Sequence, residues 1–139
     1  MSGINDHLAA LGKEMLQAAR KGQAERIREL AAHEAALLHH TDPEGATPLH
    51  HAAWKGHQHV VDALLELGAN VNHQSSNTHY GGTPLHAAAH GNQKAVAERL
   101  LQAGADLHAV SCNGRTALEE TALHGAAAVA KLLKKHGAL

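Results

Sequence analysis

The stretch Gly45-Ala46-Thr47-Pro48-Leu49-His50-His51-Ala52-Ala53 returns as Gly81-Gly82-Thr83-Pro84-Leu85-His86-Ala87-Ala88-Ala89. A fainter copy follows as Gly114-Arg115-Thr116-Ala117-Leu118-Glu119-Glu120-Thr121-Ala122. Counted from Thr47, Thr83 and Thr116, the spacing is 36 and then 33 residues. Each Thr is followed 21 residues later by a glycine (Gly68, Gly104, Gly137), and each glycine by then has a leucine pair behind it: Leu64-Leu65, Leu100-Leu101 and Leu132-Leu133. A fixed period of this length dictates stacked units, each able to bury its apolar face only against its neighbours.

Within one unit the local chemistry specifies two short helices. Thr47 and Thr83 are N-caps, with a hydroxyl for a free N–H of the first turn. Pro48 and Pro84 occupy the first helical position, where the missing N–H costs nothing and φ is already set. Leu49, Ala52 and Ala53 give the helix a narrow apolar stripe that lets neighbours approach closely. Gly56 breaks it, a second helix starts near Gln58 with Val60, Val61, Leu64 and Leu65 at helical spacing, and Gly68 ends that helix as a left-handed residue.

The Thr-Pro-Leu-His-x-Ala run, with the tail Gly68-Ala69-Asn70-Val71-Asn72 and its relative Gly104-Ala105-Asp106-Leu107-His108, resembles the ankyrin repeat. The likeness covers about two thirds of the chain well and the rest moderately. It implies an all-α solenoid of stacked helix-turn-helix units with projecting β-hairpin-like loops. It also implies that His50 and His86 are structural, linking the motif to neighbouring backbone by hydrogen bonds. The implied function is non-catalytic binding of a protein partner.

On this reading residues 1–139 form a single domain of four repeats, approximately 6–41, 42–74, 78–110 and 111–139. The first lacks the Thr-Pro-Leu-His run. Its Leu8, Leu11, Met15 and Leu16 predict a longer lead-in helix, and Lys13, Glu14, Gln17, Arg20, Lys21 and Glu25 a polar outer side, as an N-terminal cap requires. Asp42-Pro43-Glu44-Gly45 reads as the first hairpin turn. Repeat three breaks its first helix at Gly91-Asn92, and Asn tolerates the left-handed conformation. Repeat four has Ala117 for Pro and Glu119 for His; Lys131, Lys134 and Lys135 give it the solvated outer face of a C-terminal cap. The chain is expected to be a complete small array. Three residues beyond the 33-residue period lie within 73–82; they are either a mild surface insertion or part of the binding face.

Composition removes several function classes. Twelve basic residues against thirteen acidic ones leave no polyanion-binding excess, so nucleic acid is not an expected partner. The single cysteine, Cys112, permits no internal disulfide and fits a reducing, cytoplasmic setting. No apolar run approaches a membrane span and no signal peptide opens the chain. Cys112 has no evident paired base, and no phosphate-cradling Gly loop exists, so neither an enzyme nor a small-molecule substrate is expected. With no Phe, one Trp and one Tyr, the core must be built from Leu, Ala and Val.

In ankyrin arrays the partner usually meets a concave surface made of hairpin tips and the exposed side of each first helix. The equivalent helix positions here are Arg20, Trp54, His90 and Leu123, and one residue further on Lys21, Lys55, Gly91 and His124. The tips offer Pro43, Glu44 and Ala46, then His79, Tyr80 and Gly82, then Cys112, Asn113 and Arg115. The lone Trp and lone Tyr both fall in this set. Trp, Tyr and Arg are the usual anchors of interfaces; the alternative is that Trp54 lies flat over its own repeat and Tyr80 shields the hairpin. Arg20, Trp54, Lys55, His79, Tyr80, His90, Arg115, Leu123 and His124 are therefore the candidate partner-binding residues, on a chain expected to be monomeric.

Fifteen His are far above ordinary usage. His39-His40, His50-His51, His57-x-His59, His73 and His79 raise a metal-binding alternative. No helical His-x-x-x-His pair carries an adjacent Glu, His86 is committed to the fold, and no Cys-x-x-Cys exists, so no resident metal or other cofactor is expected. A second alternative is a self-associating or engineered repeat scaffold. The histidines also predict weaker stability or altered association below a pH of about 6.5.

Overall fold

The computed structural model describes residues 2–76 and 81–137, with side chains from residue 7 onward. The sequence positions Asn77, Thr78, His79 and Tyr80 lie outside the described residues.

Eight α-helices follow one another in four antiparallel pairs, with no β-strand among the described residues. The pairs are α1 (Ser2–Lys21) with α2 (Ala24–His33), α3 (Pro48–Lys55) with α4 (Gln58–Glu66), α5 (Pro84–His90) with α6 (Lys94–Gln102), and α7 (Ala117–His124) with α8 (Ala127–Lys135). A short 3-10 turn, Ala35–His39, follows the first pair. The first helices α1, α3, α5 and α7 touch in series, as do the second helices α2, α4, α6 and α8. The fold is thus the solenoid expected from the period.

The helix boundaries follow the local chemistry. Thr47 caps α3 with Pro48 at its first position; Gly56 ends it at φ 79°, and α4 begins at Gln58. In repeat three Asn92 takes the left-handed conformation, φ 53°, in the expected helix break. The lead-in helix of the first repeat is 20 residues long, against 7 or 8 for α3, α5 and α7. Of its polar outer residues, Glu14 is only half exposed, because Arg26 of α2 donates to its carboxylate.

One continuous core runs the length of the stack. Met15, Ile27, Leu49, Leu64, Leu85, Leu100 and Leu133 are fully buried, with Ala18, Ala19, Ala52, Ala53, Ala87, Ala88 and Ala89 at the close approaches between first helices. Truncating one such leucine to alanine costs about 2–5 kcal/mol.

A buried polar ladder joins the repeats. His50 Nδ1 accepts the Thr47 N–H at 3.1 Å, and its Nε2–H donates to the carbonyl of Gly82 in the next repeat at 2.8 Å. His86 repeats the arrangement, accepting from the Thr83 N–H at 3.1 Å and donating to the Arg115 carbonyl at 2.9 Å. Glu119 keeps half of this role: its carboxylate accepts the Thr116 N–H at 3.0 Å, but it has no N–H to send onward. The recurring Gly-Ala-Asx tail is a second rung, since Asn72 Oδ1 accepts the Asp106 N–H at 2.9 Å while its Nδ2 donates to the Gly104 carbonyl at 3.3 Å. Gly82 also pairs with Ser75 in an antiparallel bridge, both bonds 2.8 Å. It must be glycine for two reasons: φ is 121°, and a Cβ there would lie 2.8 Å from the His86 ring.

Candidate recognition surface

The ends of α3, α5 and α7 carry the residues singled out seven and eight places after each cap Thr. The stack brings several of them into one row. Trp54, half-buried at the end of α3, has the Lys55 ammonium 4.6 Å from its ring centroid, a cation–π distance. Its ring lies 6.2 Å from that of His90 on α5. The His90 and His124 rings then meet at a tilt of 60° with centroids 3.9 Å apart, and His90 Nδ1 is 3.0 Å from His124 Nε2.

His124 rests on Glu120, one turn earlier on α7, with Nε2 2.9 Å from Oε1. Arg115 Nε donates to the other oxygen of the same carboxylate at 3.1 Å. Glu120 is buried. Burial alone pushes its carboxyl pKa up, but the hydrogen bonds from Arg115 and His124 outweigh this and hold it below the usual value. Lys55, Trp54, His90, His124, Glu120 and Arg115 thus form a continuous strip across three repeats.

Other candidates stand apart or are spent on the fold. Arg20 is exposed, and its carbonyl accepts the His57 Nε2–H at 2.8 Å. Leu123 is 60% exposed, the most exposed large apolar side chain among the described residues. At the tips Pro43, Glu44, Cys112 and Asn113 are exposed, whereas Ala46 and Gly82 are buried, Gly82 against the His86 ring and Ser111 of the next repeat. His79 and Tyr80 lie outside the described residues.

Reading the repeats alone passed over Glu120, since burial hides it from a search for exposed residues. Its signal was present: Glu120 and His124 are four apart on a helix, the spacing that puts two side chains on one face. Among the described residues the neighbouring histidines do not converge as one group. His51 is drawn to Asp42 at 3.0 Å and His50 to the backbone, while His73 meets the His50 ring edge-on at 5.9 Å.

A protein-family model of ankyrin repeats in three copies matches residues 3–75 and 69–139. The chain is an ankyrin-repeat protein. The array is similar to the GA-binding protein subunit beta-2 of Mus musculus, 44% identical over 63 residues, which are 45% of this chain and 15% of that protein. It is likewise similar to a probable E3 ubiquitin-protein ligase, XBOS33 of Oryza sativa subsp. japonica, 43% identical over 65 residues, 46% of this chain and 12% of the other. A palmitoyltransferase, akr1 of Aspergillus oryzae, matches at 37% over 62 residues, 8% of its length. The matched stretch therefore spans less than a sixth of each of these relatives. Ankyrin repeats mediate protein–protein interaction, and this array belongs to that class of binding module. No helix among the described residues is long and apolar enough to cross a membrane.

Proposed function

We propose that this array binds a protein partner, without catalysis, through the face formed by the ends of its first helices, with Trp54 as central anchor. The observation that carries the reading is the strip from Lys55 through Trp54 and His90 to His124. It is aromatic and cationic, it crosses three repeats, and it lies where the family meets its partners. Leu123 supplies exposed apolar surface near its end, Arg115 adjoins it through Glu120, and Arg20, His79 and Tyr80 are further candidate contacts on sequence grounds. The enzymatic names among the relatives belong to chains in which the matched repeats are a small part; they lend no catalytic role here.

The side chains of the strip are fixed by repeat-to-repeat contacts before any partner arrives, so little ordering entropy is lost on binding. The organisation into four repeats, with residues 6–41 and 111–139 as caps, a monomeric state and a cytoplasmic setting complete the reading. The test is capture of partners by wild type and by a Trp54→Ala, Leu123→Ala variant immobilised at equal density. Loss of a captured protein in the variant is the expected result; an identical set of captured proteins rejects this face.

A further inference from the structure

We infer that His90, Glu120 and His124 form a divalent transition-metal site, best suited to zinc, on the face of the repeat stack. His90 Nδ1 and Glu120 Oε1 both approach His124 Nε2, at 3.0 and 2.9 Å, and all three atoms lie within 4.8 Å of one another. Each is a lone-pair donor, and a single imidazole proton on Nε2 cannot point straight at both neighbours. A cation among them satisfies all three at once. When it binds, the neutral His124 ring carries its proton on Nδ1 and the His90 ring carries its own on Nε2, so both ligating nitrogens present lone pairs.

The donor set is chemically selective. Two imidazoles and a carboxylate suit zinc and its late first-row neighbours; magnesium and calcium prefer oxygen ligands throughout. Four-coordinate zinc holds its ligands at about 2.0–2.1 Å, which sets them about 3.4 Å apart. The two short separations need to open by about 0.4 Å each to reach that spacing. Half-buried His90 and exposed His124 accommodate this by small ring rotations.

The support is built into α7. Glu120 and His124 are one turn apart on the same face, and Arg115 Nε–H grips Glu120 Oε2, leaving Oε1 turned toward the histidines. A carboxylate oriented in this way by a neighbouring donor is the usual outer support of a metal ligand. The Arg115 and Lys55 charges oppose an incoming cation, so moderate rather than extreme affinity follows. Three protein ligands leave a fourth position for water, or for a His, Cys or carboxylate side chain of a bound protein. The metal site itself does not depend on partner binding.

Isothermal titration of tag-free protein with zinc chloride tests it, together with visible absorption after cobalt(II) addition. The expected result is one specific site per chain, weakened about tenfold or more in His124→Ala, His90→Gln and Glu120→Gln, with loss of the intense cobalt bands. The exposed histidines His59 and His136 serve as controls, and H59A and H136A leave the site unchanged. Circular dichroism shows that each variant is folded; solvent-exposed His124 keeps the test decisive should Glu120→Gln destabilise the stack. Absence of zinc binding, equal binding in H124A and wild type, or equal losses in H59A or H136A overturns the site.

Discussion

His50 donates its Nε2–H to the carbonyl oxygen of Gly82 at 2.8 Å, a bond that spans 32 positions of chain and joins one repeat to the next. Its other nitrogen accepts the Thr47 N–H, so a fully buried imidazole is satisfied on both edges only while neutral. This makes His50 a strut and, in acid, a weakness.

Burial lowers the His50 pKa to about 4; the bond to Gly82 pulls it up, while His73 and His51 push it further down. Burial likewise lowers His86 and His51. The unfolded chain takes up protons on these residues below about 6.5, while burial opposes it in the folded chain. The His50 contribution is therefore intact above that pH and is lost as pH falls toward 4, and His86 and His51 act in the same direction. We expect His50 alone to remove about 1.4 kcal/mol of stability per pH unit across this window. Urea unfolding at several pH values between 7.5 and 4.5 measures it; a flat profile refutes it. The acid sensitivity expected from the number of histidines thus has its physical origin in the few that are buried.

Replacing His50 by Ala strands the Thr47 N–H and the inward side of the Gly82 carbonyl in the core. Each stranded group costs about 1–3 kcal/mol. The expected outcome is a loss of about 2–4 kcal/mol at neutral pH, with a shallower pH profile than wild type. Exposed His59 gives the contrast, since H59A should shift the unfolding midpoint by no more than a surface change does.

Gly91 packs against the preceding repeat so closely that a Cβ would lie 2.4 Å from the Trp54 carbonyl oxygen. The obstacle is backbone and cannot swing aside. Gly91→Ala should therefore destabilise by about 1–3 kcal/mol, even though φ at Gly91 is −86°, a conformation alanine adopts without strain. Thermal melting decides the sign.

Arg115 neutralises the buried Glu120 carboxylate from a half-exposed position. Arg115→Met leaves that carboxylate with the His124 ring N–H as its side-chain hydrogen-bond donor. A loss of about 1–3 kcal/mol is expected at neutral pH, shrinking in acid as the carboxyl takes up a proton. A loss that grows in acid contradicts the role. Glu120→Gln in the same background should recover part of the stability.

The repeats, the helix starts at Pro48 and Pro84 and the breaks at Gly56 and Gly91-Asn92 are legible in the residues themselves, and the structural duty of His50 and His86 follows from the resemblance to ankyrin repeats. Caps, proline, glycine and helical spacing act over a few positions, and the period forces the resulting units to stack. Trp54, His90 and His124 could be placed on one face by counting from each cap Thr.

What the sequence leaves open is which of those side chains meet. His90 and His124 are 34 positions apart, and their contact depends on the offset between α5 and α7, which packing of the small alanine faces sets. Glu120 takes Arg115 from five positions before it and His124 from four positions after it, and the arrival of His90 from α5 turns that local group into a converging cluster. Local chemistry names the helices; only the distance between stacked repeats decides which atoms share a site.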